Sequence, residues 1–387
     1  MVVHFVPLRP FTDFQSMKPI GSEKGYATSP DPATENYVWM RLRQFTDIPS
    51  QGKALFSGTT SERNALHREF QNYVRQGQTY WNAGMHTDGS SSALLFYYGA
   101  LNLAKAELLT SHPAEILKPK IAHGLIHKHT SSHSIKGDYL EVSKGVFPLL
   151  YEKRTGMKIP PGTRIPITNL LSLIPEIGFK VREIGRRRPP SGYGYHAIAN
   201  DKLSAWTLVA IQERILMDED ESLLRLLKSG YQPVALKNWT EWRRIFALSE
   251  RFSSHNIRVF QSKSIHSRTS PAGTKFPDKV GAGHQFMKLL ASHVSEPINN
   301  LADFVLTHTL YKSKPLIIPL GLARYAAIFY LSSLVRYKPA ALDRVHEGEQ
   351  AWLMDSVTND VPLNLLVGSL MGIQRAPLYF ESSGYRT

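Results

Sequence analysis

From Ser61 onward, apolar residues return every three or four positions: Leu66, Phe70, Tyr73, Val74 and Trp81. That spacing gathers them on one face of a helix and predicts an amphipathic element opened by Ser61 as N-cap. A second helix is predicted from about Ser91 to Leu109, with Leu94, Leu95, Tyr98, Leu101, Leu108 and Leu109 on its apolar face and Pro113 beyond its end. Interspersed Ala and Gly permit a close approach, so the two are expected to pack as a hairpin. Between about 120 and 215 the period shortens. Tyr139–Val142, Arg164–Ile167 and Ala205–Ile211 are short runs punctuated by Gly or Pro, as strands are. A short helix is expected over Asp218–Leu227, and residues 253–285 predict a long loop or a pair of ragged strands. Helical periodicity then returns over about 284–294, 298–310, 318–337 and 349–370.

These elements predict an α+β fold, predominantly α, in which both chain ends build a helical core and a β-containing middle is inserted between them. The expected parts are an irregular N-terminal arm (1–34, rich in Pro, Gly, Ser and Thr), an N-terminal helical part (35–119), the middle region (120–285) and a C-terminal helical part (286–387).

Composition narrows the function classes. The absence of Cys removes disulfides, thiolate metal sites and thiol nucleophiles. Met1–Arg9 is too short and too broken by Pro7 for a secretory h-region, and the apolar run Pro319–Val335 is interrupted by Arg324, Tyr325, Ser332 and Ser333. A buried core helix is expected there rather than a bilayer span, hence a soluble, cytoplasmic protein with no membrane partner. The net charge of +14 changes the picture most, because clustered cations create a field that attracts phosphate polymers.

Three ordered blocks resemble the bacterial YaaC-like family: Tyr80-Trp81-Asn82-Ala83 leading into Leu95–Lys105; His123-Gly124-Leu125 with Gly145–Leu150; and Tyr330–Pro339. The resemblance spans most of the chain and names a family without naming a reaction. The helix carrying Tyr97-Tyr98 and Asn102–Lys105 also resembles the first core helix of HEPN domains, which are frequent in RNA-cleaving toxins and phage-defence proteins. That second resemblance implies a ribonuclease-like hydrolase acting in antiviral defence or a toxin system. Active HEPN nucleases typically carry an Arg, four to six intervening residues and then a His on a late helix. This chain departs from that pattern. Arg324 and Arg336 have no such His, and Arg63 to His67 and Arg251 to His255 have only three intervening residues.

Candidate chemistry follows from side-chain type and spacing. Tyr325, Ser332 and Arg336 fall on one helical stripe. An Arg on an apolar helix must reach a carboxylate, a carbonyl or an incoming anion. Arg336, with Tyr337 and Lys338, therefore reads either as a phosphate holder or as a structural ion pair at the helix C-terminus, where cations are favoured. Tyr98, Asn102 and Lys105 form a second polar stripe that could face Arg336 across a cleft or satisfy an interhelical hydrogen-bond network. His123, His127, His129 and His133 lack a carboxylate at ligand spacing, so no metal and no cofactor are expected; His123 and His127 remain candidates for acid–base work, and Arg336 is a further catalytic candidate.

Arg186-Arg187-Arg188, followed by Tyr193 and Tyr195 in a Gly-Tyr-Gly-Tyr run, suits phosphate tracking and base stacking on a flexible loop, or a protein interface. Basic residues from Arg258 to Lys279 would extend such a patch. Asp218–Glu221 reads as helix capping rather than a Mg²⁺ site. No complete catalytic motif is present, and whether the chain is an enzyme stays open. Two readings emerge: a nucleic-acid-binding protein acting on RNA or DNA, and a non-catalytic scaffold or regulatory subunit working through a protein partner. Self-association is compatible with either.

Overall fold

The computed structural model describes residues 32–87, 91–128, 135–174, 192–201, 204–212, 231–235, 257–263, 318–348 and 350–374, with shorter pieces within 6–16, 176–184, 265–267 and 297–306. The chain forms two compact units. One comprises Gly25–Pro190 and Thr309–Leu378; the other comprises Met1–Lys24, Ser191–His308 and Tyr379–Thr387.

The first unit is mainly helical: α1 (Pro32–Asp47), α2 (Pro49–Lys53), α3 (Thr60–Met85), α4 (Ser91–Leu108), α5 (Pro113–Ile116), α6 (Val146–Thr155), α7 (Ile167–Leu173), α8 (Leu320–Tyr337), α9 (Pro339–His346), α10 (Ala351–Asn359) and α11 (Pro362–Gln374). The residue that caps α3 is Thr59, two positions before the expected Ser61. Its hydroxyl accepts from the Glu62 amide, and the Glu62 carboxylate accepts from the Thr59 amide at 2.7 Å. Two free N–H groups at the helix start are thus satisfied reciprocally. Those hydrogen bonds, the backbone one foremost, hold Glu62 below its ordinary carboxylate value.

Helices α4 and α8 are the interior of this unit. Both are apolar nearly all round, and a helix without a polar face belongs inside. They pack on each other; α3 and α11 cover α4, and α7 packs against α8. Gly77 of α3 and Gly99 of α4 meet at the hairpin crossing, where a Cβ at Gly99 would lie 3.2 Å from the Gly77 carbonyl oxygen. Pro362 divides the single helix expected over 349–370 into α10 and α11, because proline supplies no N–H to continue the ladder.

Buried ion pairs cross this interior. Arg154 on α6 meets Glu107 on α4 at 2.7 Å, with Lys153 beside it. Burial alone would raise the Glu107 pKa, but the two cations hold it below its ordinary value. Arg324 on α8 meets Glu176 at 2.7 Å, and Asn364 of α11 donates to the same carboxylate.

A three-stranded antiparallel sheet, β2 (His123–Lys128), β3 (Tyr139–Gly145) and β4 (Arg164–Pro166), lies against the helices in the order β2-β3-β4. Its pairing shifts between His123 and Leu125, and the backbone there is held by glycine. Gly145 adopts φ +144°, and a Cβ on it would fall 2.2 Å from the Ala122 carbonyl oxygen. Only glycine lets the start of β2 come so close to the β3–α6 junction.

The second unit contains an antiparallel sheet built on β5 (Gly192–Asn200) and β6 (Ser204–Gln212). Outward from β6 come β8 (Ile257–Ser262) and β7 (Tyr231–Pro233); outward from β5 come β11 (Asp303–Leu306) and β10 (Pro297–Ile298). β1 (Asp13–Ser16) shares one side of β5 with β11, pairing along Ala197–Asn200 while β11 takes Gly192–Tyr195. β9 (His266–Ser267) pairs with the start of β6.

The fold is α+β and predominantly α, with its sheets in the middle of the chain. Several expected boundaries move. The 1–34 arm supplies strand β1 and a bridge from Val6 to Val234, so it is not irregular throughout. Residues 139–173 join the helical unit instead of an inserted 120–285 region. Within 298–310, strand β11 stands where a helix was expected. The expected helices at 218–227 and 284–294 lie outside the described residues.

Candidate functional site

Three elements of the helical unit bring polar side chains together: the middle of α4, the last turn of α8 and the start of β2. From α4, Tyr97 is fully buried and the adjacent Tyr98 is half-buried. From α8, Arg336 lies within cation–π reach of three rings, its guanidinium carbon 5.5 Å from the Tyr97 centroid, 5.6 Å from Tyr98 and 4.9 Å from Tyr337. Its Nη1 donates to the Tyr98 hydroxyl at 3.3 Å and its Nε to the Ser332 carbonyl at 3.3 Å. Its Nη2 is buried and meets no acceptor among the described residues.

Arg336 contrasts with the other arginines of the core. Arg324 and Arg154 each face a buried carboxylate; Arg336 faces rings and hydroxyls, and no described carboxylate pairs with it. The structural ion pair expected as one reading of Arg336 is therefore absent among the described residues.

His123 opens β2 beside the same rings. Its Nδ1 is 2.6 Å from the Tyr97 hydroxyl, and its ring packs 6.1 Å from Phe329. Burial lowers its pKa, and Arg336 and Lys105 lower it further. Burial likewise pushes the Tyr97 phenol far up, reinforced by its neighbour Tyr325, so that hydroxyl stays protonated. Lys105, near the end of α4, holds its Nζ 5.5 Å from the Tyr73 ring of α3, and burial lowers its pKa. The expected partner of these residues on the α4 stripe, Asn102, turns back and donates to the Tyr98 carbonyl at 2.8 Å, closing on its own helix.

His127, four residues further along β2, occupies a different environment. Its Nε2 is 3.2 Å from Asp138, which also accepts from the Tyr330 hydroxyl at 2.8 Å, and its Nδ1 is 3.4 Å from the Ser333 hydroxyl. The side chains of His127 and Asp138 are almost completely buried. Of the two candidate acid–base histidines, only His123 stands near Arg336 and Lys105, neither of which pairs with a described carboxylate. His129 and His133 lie outside the described residues, and no group of three or more His, Asp or Glu capable of holding a metal ion occurs among the described residues.

The second candidate patch is placed differently. Tyr193 and Tyr195 lie in β5, paired on one side with Val305 and Asp303 of β11; Tyr195 also pairs with Ala210 of β6. The Gly-Tyr-Gly-Tyr run is an internal strand of its sheet, not the flexible loop expected from its glycines. Arg186, Arg187 and Arg188 lie outside the described residues. Arg258 is on β8 and Lys263 directly follows it. Lys338 is exposed at the junction of α8 and α9.

Sequence patterns set Tyr98 and Lys105 opposite Arg336 across a cleft and named His123 separately, but did not single out as site residues Tyr97, which joins them, or Tyr80, whose ring centroid lies 5.4 Å from that of Tyr98. The signal for Tyr97 was its adjacency to Tyr98 in a helix buried all round, where a second hydroxyl needs a partner.

The structure is thus a helical protein with small antiparallel sheets and a cationic, tyrosine-lined cluster at the meeting of α4, α8 and β2. The chain belongs to the YaaC-like protein family, which it matches over residues 58–367, a span that includes every residue of that cluster. No curated protein and no solved structure matches it. Among the described residues, no helix is long and apolar enough to cross a membrane.

Proposed function

We propose that the chain binds nucleic acid, with the phosphate backbone lying against Arg336, Lys105 and His123. The observation that carries this reading is the Arg336 guanidinium, partly buried among tyrosines with no described carboxylate and one nitrogen lacking an acceptor. A guanidinium in that state favours an anion whose oxygens accept in its plane, and phosphate is the common one. The net charge of +14 supports the same reading at longer range. Binding rather than turnover is proposed, since among the described residues His123 is the one candidate acid–base residue in the cluster, with no second histidine or carboxylate opposite it. The α4 resemblance to HEPN helices agrees with an RNA ligand.

The experiment is an anisotropy titration of labelled RNA and DNA over a salt series. Affinity is expected to fall steeply with salt, and Arg336→Ala and Lys105→Ala are each expected to weaken binding and flatten the salt slope by about one unit. Affinity unchanged between low and high salt, or no binding of any oligonucleotide, overturns the proposal. In the latter case a companion protein co-purifying in a stable complex would assign the cluster to protein contact.

A further inference from the structure

Three rings and the Arg336 cation form a continuous series: Tyr80 against Tyr98 at 5.4 Å, Tyr98 against the guanidinium at 5.6 Å, and the guanidinium against Tyr337 at 4.9 Å. The members differ sharply in exposure. The tyrosines deeper in the same cluster, Tyr97 and Tyr325, are sealed from solvent, whereas Tyr80 is 37% and Tyr337 65% exposed. The series therefore ends in solvent at both ends, with an aromatic face at each.

We infer that Tyr337 and Tyr80 are platforms for unpaired bases, so that the site selects single-stranded over duplex nucleic acid. This rests on the phosphate-binding reading above. Core packing does not call for Tyr337, whose ring contact is with Arg336 alone among the described residues. An exposed tyrosine beside a cation presents a flat, polarisable face next to the charge that holds the backbone. Bases of a free strand have open faces that stack on such rings, and stacking tolerates any base; bases of a duplex are stacked within it and cannot reach the ring without unpairing. Arginine between two rings serves both interactions, as a stacking plane and as a phosphate donor. An acidic peptide would satisfy the cation but leave both ring faces without use.

The test compares, by competition anisotropy on the full chain, a single-stranded oligonucleotide, its duplex, an abasic strand of equal length and polyglutamate. Tighter binding of the base-bearing strand is expected, with Tyr337→Ala and Tyr80→Ala each weakening it about tenfold, in line with the worth of one stacked base. Tyr337→Phe should keep the affinity and Tyr337→Leu should lose it, since both retain apolar bulk and only one retains a ring. If the abasic strand and the duplex bind as tightly as the free strand, base stacking is overturned while phosphate binding stands. If polyglutamate competes as well as the base-bearing strand, stacking is likewise overturned. If none of the oligonucleotides binds, both readings fall together.

Discussion

Tyr97 and His123 share a short hydrogen bond, 2.6 Å from the phenol oxygen to Nδ1, at the point where α4 meets β2. Burial keeps the phenol protonated and disfavours the imidazolium. In the tautomer where the phenol donates and Nδ1 accepts, the ring proton would sit on Nε2 and be free to donate to an anion. Burial is the largest cause of the depressed His123 pKa, followed by Arg336 and then Lys105.

A pH dependence follows from that depression. An anion bound at Arg336 favours the imidazolium, raising the His123 pKa, so binding is coupled to proton uptake. Affinity for a phosphate-bearing strand is expected to rise as pH falls below the ordinary histidine value of 6.5. His123→Ala should flatten the profile. The same titration has the opposite sign for the unliganded fold. The unfolded chain takes up the proton more readily, so this contribution to stability is present above the ordinary histidine value and is lost as pH falls below it. Oligonucleotide titrations and urea melts across that window check both signs.

Arginines of one helix should respond unequally to replacement. Arg324→Ala leaves the buried Glu176 carboxylate without its cation and is expected to cost about 3–5 kcal/mol. Arg336→Ala removes ring contacts and two long hydrogen bonds, leaves no described carboxylate stranded, and should cost about 1 kcal/mol. Urea denaturation of the two variants measures the contrast. Losses of equal size would mean that Arg336 is a structural residue.

Gly145→Ala is expected to damage the site from a distance. The substituted Cβ would collide with the Ala122 carbonyl at a φ that alanine rarely adopts, so the start of β2, and His123 with it, must shift. A destabilisation of about 1–3 kcal/mol is expected, together with weakened oligonucleotide binding. Melting and anisotropy on one sample report both.

Labelled RNA incubated with the chain should be recovered at full length, equally for the wild type and Arg336→Ala. Cleavage by the wild type that the variant lacks would convert the binding site into a catalytic one, with His123 as the acid–base residue.

Much of the helical framework was readable from periodicity. The α3–α4 hairpin and α8 run long enough for their apolar stripes to exceed noise, and the runs at 139–142 and 205–211 fall within β3 and β6. Short elements were harder. The segment around β11 carries Phe304, Val305 and Leu306 in succession, a run that suits a buried helix turn as well as a strand. Pairing with β5, a long-range event, decides the matter. For the site, residue type and helical register singled out Arg336, Lys105, Tyr98 and His123. Which of two histidines would meet the cation was not readable, because His123 and His127 lie on the same strand. Asp138, eleven residues from His127, claims that ring through β2–β3 pairing, and no local spacing announces this.

Gly77 and Gly99 set how near α3 and α4 can draw, and Tyr80 lies one turn beyond the first while Tyr98 immediately precedes the second. The gap between those two rings thus depends on how closely the two backbones approach at the glycines. A single methyl group added at either glycine would pry the helices apart and retune recognition from inside the hairpin, making this bare crossing an adjusting screw for the surface above it.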